Sequence, residues 1–197
     1  GGTKIQVVTG RGKASIVGRQ RFTADPAEGA EGIRRQIAGA LANIAGRQKI
    51  AAIGVGFGGP FNRETGRACC SHQIAGWDDF SLRDWLSEQV AGVPVAIEND
   101  GNTAALGEAI AGAGQGQSPV FYVTLGSGIG GGLVVDGLIY HGAIPTEAEI
   151  GHLRLNEAGD TLESRCSGWA VDRRLRDYAY ANDDSPLAKC LDGEGGE

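Results

Sequence analysis

The spacing of hydrophobic positions predicts strands and helices in alternation. Residues 4–9 and 14–21 are rich in β-branched residues and flank Gly10-Arg11-Gly12, which is typical of two paired strands. Apolar residues then recur at helical spacing and predict a helix over about 27–45, which Asp25-Pro26 begins and Gly46 ends. The residues that form this apolar stripe are Ile33, Ile37, Leu41 and Ile44.

The same alternation continues along the chain. Residues 49–57 form a nearly continuous apolar run, which predicts a buried strand in a parallel sheet. Later periodic segments predict helices over 81–90, 102–113 and 168–181, strands over 93–98 and 153–155, and a helix or turn over 146–152. Ser81 and Asp84 are candidate caps of the helix over 81–90. No periodicity is found over 192–197, for which we expect a loop or disorder.

Helices between strands predict an α/β architecture. The stretch of small residues over 112–117 marks the expected boundary between two lobes, residues 1–115 and residues 116–197. The second lobe opens with strands and a helix and then stops, so we expect it to be incomplete.

Composition narrows the class of protein. The chain has 197 residues, of which 41% are hydrophobic and 21% charged, as in a globular domain. A net charge of −6 and the lack of a basic patch argue against nucleic acid as a partner. The four cysteines form no C-x-x-C motif and are expected to be reduced thiols. No signal peptide or membrane span is predicted, which favours the cytoplasm, although the sequence contains no methionine and is expected to be a fragment.

Glycine is unusually abundant, with 34 residues, and it is concentrated in the run VFYVTLGSGIGGGLVVDG over 120–137. This run predicts two strands around a turn that carries five glycines and two hydroxyl side chains, those of Thr124 and Ser127. A turn without Cβ atoms lets backbone N–H groups approach a phosphate. Such turns often bind nothing, and the spacing matches neither the P-loop nor the Rossmann motif.

Residues 97–105 (IENDGNTAA) combine the end of a buried strand with two acids, two amides and the start of a helix. Ligands of α/β sheets bind at the carboxyl ends of strands. Asp100 lies at such an end and could accept the proton of a substrate hydroxyl. The alternative is that Asp100 or Asn102 only caps the helix.

A second polar cluster comprises Glu147, Glu149 and His152, followed by Glu163. Carboxylates and an imidazole in a loop can accept hydrogen bonds from sugar hydroxyls, and they can also bind a metal ion. A solvated acidic loop is the third interpretation.

Taken together and in order, five motifs resemble the ROK family of bacterial sugar kinases and related repressors. They are residues 1–4 (GGTK), 54–60 (GVGFGGP), 98–102 (ENDGN), 125–132 (LGSGIGGG) and 149–152 (EIGH). The resemblance implies the actin-like (ribonuclease H-like) fold of two lobes, with ATP and a hexose bound in the cleft between them.

The resemblance also implies roles for individual residues. Asp100 matches the catalytic base, which deprotonates the sugar hydroxyl. The positions that match sugar contacts are Asn99, Glu149, His152 and Glu163. The positions that match the two phosphate loops are Gly2, Thr3 and Lys4 in the first, and Thr124, Gly126, Ser127 and Gly128 in the second. Mg²⁺ is expected to accompany ATP.

The sequence departs from the family pattern in three places. Many members hold a structural zinc ion with a histidine and three cysteines, but residues 153–162 contain no cysteine and Cys166 stands alone, so we expect no zinc or other bound metal here. The strand that precedes the first phosphate loop, with its Mg²⁺-positioning aspartate, is not in the sequence. The helices that hold adenosine are not in it either, so we expect this piece to be weakly active or inactive by itself.

Three functions are compatible with this resemblance. The favoured one is ATP-dependent phosphorylation of a hexose, with glucose as the first choice, by a protein that is a homo-oligomer at full length. The second is a sugar-sensing ROK repressor whose DNA-binding domain precedes this sequence. The third is a non-catalytic sugar-binding module. Asp100 favours the enzyme, because a sensor does not need the base.

Overall fold

Strands and helices alternate in the structure, a computed structural model that describes residues 4–12, 14–71, 74–142 and 148–191. The strands are β1 (Lys4–Arg11), β2 (Ser15–Thr23), β3 (Ile53–Phe57), β4 (Phe61–Asn62), β5 (Arg67–Ala68), β6 (Val95–Asn99), β7 (Val120–Leu125), β8 (Ile129–Val135) and β9 (Leu138–Ile139). The helices are α1 (Gly29–Ala45), α2 (Leu82–Gln89), α3 (Asp100–Ala111), α4 (Leu162–Cys166), α5 (Gly168–Ala181) and α6 (Pro186–Leu191), with 3₁₀ turns at Pro26–Glu28 and Ile150–His152.

The described strands form four small sheets. β1 pairs antiparallel with β2, and β4 pairs antiparallel with β5. β3 pairs with β6 in parallel, with Gly56 opposite Glu98 and Phe57 opposite Asn99. β7, β8 and β9 form an antiparallel meander. Helix α3 follows β6 and packs against β3 on one side and against β7 and β8 on the other, so it joins the two halves of the molecule.

The main hydrophobic core lies under α1 and α2. The predicted apolar stripe of α1 faces it, with Ile33, Leu41 and Ile44 buried and Ile37 packed beside them. Leu82 and Leu86 of α2 are buried on the same core. Four aromatic rings extend this core, namely Phe57, Trp77, Phe80 and Trp85. The first two successive contacts are edge-on at 5.6 Å between centroids, and the third is tilted at 5.9 Å. The core therefore fixes α1 and α2 against the β3–β6 pair.

A cavity of about 920 Å³ lies between β1 and β3. Consecutive residues of both strands line it, and each of these strands pairs with a neighbour only on its other side, β2 for β1 and β6 for β3, within the part of the chain described. The prediction that β3 is parallel is confirmed. The prediction that it is buried is wrong, because its edge toward the cavity is open in the described part: Gly54 and Gly56 are exposed, and Ile53, Val55 and Phe57 are only half-buried.

Other elements differ from the sequence-based expectation in detail. Residues 168–181 are helical as predicted, whereas the predicted strand over 153–155 is reduced to one bridge between Arg154 and Thr161. Ser81 and Asp84 bond to each other at 2.6 Å instead of capping α2 with a bond to its backbone. α4 and α6 were not predicted, because helices of five and six residues are too short to show a period. Residues 192–197 lie outside the described part.

Each helix in the described ranges is too short or too polar to span a bilayer. The four cysteines are free, as the sequence predicts, and Cys166 lies at the end of α4.

Candidate functional site

The junction of β6 and α3 carries the predicted base. Asn99 is the N-cap of α3, and its Oδ1 accepts the N–H of Asn102 at 3.1 Å. The alternative in which Asp100 or Asn102 caps the helix is therefore wrong: all three are capping residue types, and the structure gives the position to Asn99. Asp100 is exposed, and its Oδ1 accepts the N–H of Gly101 at 2.9 Å.

The position of Asp100 follows from the parallel pairing. β3 and β6 run in the same direction, so their carboxyl ends meet at one edge, where Phe57 lies opposite Asn99. Ligands of α/β sheets bind beyond this edge. The cap uses Oδ1 of Asn99, so the Nδ2 donors of the same side chain are not consumed by it.

The glycine turn is shorter than the sequence suggests. β8 begins at Ile129, so only Gly126, Ser127 and Gly128 form the turn. The N–H of Gly126 donates to the carbonyl of Gly128 at 2.9 Å. The N–H groups of Ser127 and Gly128 have no acceptor within the described ranges, which makes them the candidate phosphate donors of the turn.

The remaining glycines of the run bring backbones together. A methyl group on Gly101 would lie 2.7 Å from the carbonyl oxygen of Gly131, and one on Gly132 would lie 2.7 Å from that of Gly101. Glycine is therefore required on both sides for α3 to lie against β8. This close packing places the start of α3, and with it Asp100, beside the first residues of β8.

The segment that carries the other predicted sugar contacts also meets β8. Gly151 lies directly against the carbonyl oxygen of Ile129, and a methyl group on Gly131 would lie 2.6 Å from the carbonyl oxygen of Ala148. Glu149 is half-buried, and His152 is exposed at the end of its 3₁₀ turn. Both line a shallow pocket of about 460 Å³ together with Phe121 and Leu153.

Glu163 connects α4 to the start of β8. Its Oε2 accepts the N–H of Ile129 at 2.7 Å. The amino end of α5 adds two bonds to the glycine turn, from the N–H of Gly168 to the carbonyl of Gly126 at 2.8 Å and from the N–H of Trp169 to that of Ser127 at 3.2 Å. The start of β8 is thus the platform on which Asp100, the glycine turn, the segment of Glu149 and His152, and Glu163 converge.

Other predicted site residues are not brought to this platform by the described contacts. Lys4 is exposed at the start of β1, where it pairs with Thr23. Gly2, Thr3 and Glu147 lie outside the described residues. Thr124 is half-buried in β7 opposite Gly130, one strand residue before the turn.

An ion pair lies in the loop before α4. Asp160 accepts hydrogen bonds from Arg165 at 2.6 Å and from Asn156 at 2.7 Å, and these bonds lower the pKa of its carboxyl. The pair closes the loop that leads into α4. In the part of the chain that the structure describes, no three His, Cys, Asp or Glu side chains cluster so that they could hold a metal ion by themselves.

Two residues beside the site were not singled out by the sequence. The Nη2 of Arg63 and the Nε2 of His141 both contact the carboxylate of Glu98, at 3.1 and 3.5 Å. Both lie far from Glu98 in the chain and in no motif, so no local pattern could identify them.

Compared with known protein families, residues 1–186 match the ROK family. The chain belongs to the ROK family. Among relatives, it is 33% identical to a glucokinase of Halalkalibacterium halodurans over 99% of this chain and 63% of that protein. The chain thus spans about 63% of the length of this relative.

Solved structures of ROK proteins have the same fold. The chain is 34% identical to the ROK hexokinase of Thermus thermophilus, with a TM-score of 0.76 over 93% of this chain and 62% of that one. It is 32% identical to the ROK glucokinase of Streptomyces griseus, solved with glucose and AMPPNP, with a TM-score of 0.76 over 93% of this chain and 60% of that one. The predicted family and the predicted actin-like sugar kinase fold are confirmed.

Proposed function

We propose that the full-length protein to which this chain belongs transfers the γ-phosphoryl group of ATP to a hydroxyl group of a hexose, with glucose as the first choice. The observation that carries the proposal is the convergence on β8. An exposed carboxylate at the end of a parallel strand, a glycine turn with two available N–H groups and a segment with Glu149 and His152 meet there. Relatives named glucokinase agree with this assignment.

Asp100 is the proposed general base. The bond from Gly101 holds Oδ1, which leaves Oδ2 facing solvent to accept the proton of the sugar hydroxyl. As the proton leaves, the hydroxyl oxygen attacks the γ-phosphorus, the bond from that phosphorus to its bridging oxygen breaks, and ADP departs. The main work of the protein in such a transfer is positioning and charge stabilisation.

The proposed ligand contacts divide between two segments. The N–H groups of Ser127 and Gly128 and the hydroxyl of Thr124 bind phosphate oxygens, with Gly126 shaping the turn. Asn99, Glu149, His152 and Glu163 bind sugar hydroxyls. Gly2, Thr3 and Lys4 supply the first phosphate loop. All of these remain proposals for the individual residues.

Mg²⁺ is proposed to enter with ATP. It needs only one or two protein carboxylates, because phosphate oxygens and waters complete its coordination. When bound, it neutralises the charge of the phosphates. We further propose that the protein works in the cytoplasm as a homo-oligomer and acts on small molecules, without a nucleic-acid or membrane partner. The proposed boundary between the lobes lies between residues 115 and 116. No zinc is proposed to bind.

A coupled assay of ADP formation by the full-length protein against a panel of hexoses tests the proposal. We expect ADP formation that depends on one or a few hexoses, with glucose among them. ADP formation that no hexose stimulates, combined with tight hexose binding, would favour the repressor or the binding module. Neither hexose binding nor turnover would contradict the proposed function altogether.

A further inference from the structure

Glu98 is enclosed by hydrogen-bond donors. Its Oε1 accepts the N–H of Asn99 at 2.8 Å and is 3.1 Å from the Nη2 of Arg63 and from the Nδ2 of Asn102. Its Oε2 faces the Nε2 of His141 at 3.5 Å. The Glu98 side chain is only 19% exposed, so these contacts form in a partly desolvated place.

These contacts connect three segments of the chain. Arg63 lies in the turn between β4 and β5, which α2 holds through bonds from Arg83 to the carbonyls of Arg63 and Glu64, both at 2.6 Å. Asn99 and Asn102 belong to the start of α3. His141 follows β9, ahead of the segment with Glu149 and His152. Glu98 therefore joins the junction that carries Asp100 to the turn of β4 and β5 and to His141, directly after β9.

We propose that Glu98 is a positioning residue, which through Arg63 and His141 fixes the β6–α3 junction and residues 140–142, directly after β9, in the arrangement that binds the hexose. This inference rests on the proposed function. Glu98 does not serve as the base itself, because both of its oxygens face protein donors. Asp100, two residues further on, is exposed and takes that role.

The chemistry requires a carboxylate at this position. Among the described residues, the N–H groups of Asn99, Arg63 and Asn102 donate to Glu98, and Nε2 of His141 donates to it when that nitrogen carries the ring proton. An ionised carboxylate is the side-chain group that only accepts. Glutamine would place an NH₂ group against either Arg63 or His141. Moving the proton of His141 to Nδ1 would not relieve this clash at no cost, because Nδ1 is buried and an N–H there would have no acceptor among the described residues.

The kinetic test compares E98Q and E98D with the control E28Q in the full-length protein. Glu28 also pairs with an arginine, Arg35 at 2.7 Å, but it lies at the start of α1 away from β8. For E98Q we expect kcat/KM for the hexose to fall about ten- to a hundredfold, the range expected when a hydrogen bond to a charged group is lost. The KM for ATP should stay close to that of wild type. E98D, which keeps an acceptor-only group, should recover part of the loss, and E28Q should behave as wild type.

Hydrogen exchange in the same variants separates this inference from the proposed function. We expect the amides of Asn99 and Asn102 to exchange faster in E98Q than in wild type and E28Q, because the carboxylate that holds the junction is lost. Equal kinetics and equal exchange in E98Q and E28Q would overturn the inference. A wild type that phosphorylates no hexose would refute the proposed function, and the exchange comparison would then decide whether Glu98 fixes the junction.

Discussion

Two acids two positions apart have opposite surroundings. Glu98 is surrounded by four nitrogen atoms at 2.8 to 3.5 Å, whereas Asp100 is exposed and, among the described residues, accepts only the N–H of Gly101. A group that must take up a proton during the reaction needs an oxygen that faces the substrate. A group that must hold a backbone in place needs its oxygens occupied by that backbone. The two surroundings therefore agree with the proposed roles, which are chemistry for Asp100 and positioning for Glu98.

Glycines of α3 provide a test of the close approach between this helix and β8. A methyl group on Gly101 would lie 2.7 Å from the carbonyl oxygen of Gly131, whereas one on Gly107 would meet nothing within 4 Å. We expect Gly101→Ala to lower the free energy of unfolding by about 1–3 kcal/mol through overpacking. Gly107→Ala should raise it by up to about 1 kcal/mol, because alanine favours the helix.

Urea denaturation of both variants checks this prediction. If the two substitutions changed the free energy of unfolding equally, α3 would not need to lie against β8 as closely as the structure indicates.

The sequence predicts the local structure around the candidate site residues well. Asn99, Asp100 and the glycine turn lie in short motifs, and their positions at a strand end and in a hairpin are local properties. The sequence does not tell which residue caps α3, since Asp100 and Asn102 have side chains as suitable as that of Asn99. Arg63 and His141 could not be predicted, because only the folded chain brings them to Glu98.

Among the helices and strands, the sequence predicts the long ones and those that depend on neighbouring residues. α1 and α5 carry enough turns for their apolar spacing to be read from the sequence. α4 has five residues and depends on the reciprocal hydrogen bonds of Thr161 and Ser164. It is too short to show a hydrophobic period in the sequence. The open edge of β3 depends on which strands pair, which is a property of distant segments.

One edge of β3 pairs with β6 and the other faces the cavity, so we expect amides on the two edges to differ in their rates of hydrogen exchange. The N–H of Ile53 donates to the carbonyl of Pro94 at 2.9 Å, so by the alternation of a parallel ladder the amides of Val55 and Phe57 also face β6. Those of Gly54 and Gly56 face the cavity. We expect the glycine amides to exchange much faster than that of Val55, after correction for intrinsic rates.

Residue-resolved exchange by NMR measures this contrast. Similar protection of Gly54 and Val55 would mean that the second edge of β3 has a partner, and it would contradict the open cavity.

The loop before α4 predicts a dependence of stability on pH. Hydrogen bonds from Arg165 and Asn156 lower the pKa of Asp160 in the folded protein. The stabilisation is therefore present above the ordinary pKa of an aspartate, about 3.9, and is lost as the pH falls through the lower folded value. We expect wild type to exceed Asp160→Asn in stability at pH 7 and the difference to vanish in strong acid.

Urea midpoints across this pH range measure the difference. Asp183→Asn is the matched control, because Asp183 is exposed and its carboxylate makes no hydrogen bond within the described ranges. If the difference in urea midpoint between wild type and Asp160→Asn stayed constant down to the most acid pH, the interaction with Arg165 would be excluded as its cause.

At the scale of the whole molecule, α3 and β8 organise the site. Asp100 begins α3 directly after β6, and the β7–β9 meander supplies the glycine turn. The segment of Glu149 and His152 and helix α4 pack on the start of β8. The chain spans about 63% of the length of this glucokinase relative, and the activity proposed above is a proposal for the full-length protein.

The measurement that tests this account most directly is turnover by Asp100→Asn in the full-length protein, with hexose affinity measured by calorimetry in the same samples. Asparagine keeps the size of the side chain and removes its ability to take up a proton. We predict that kcat for hexose phosphorylation falls about 10²- to 10⁴-fold, the usual contribution of a general base, while the hexose Kd changes little. Turnover close to that of wild type, with hexose binding intact, would contradict the assignment of Asp100 as the base.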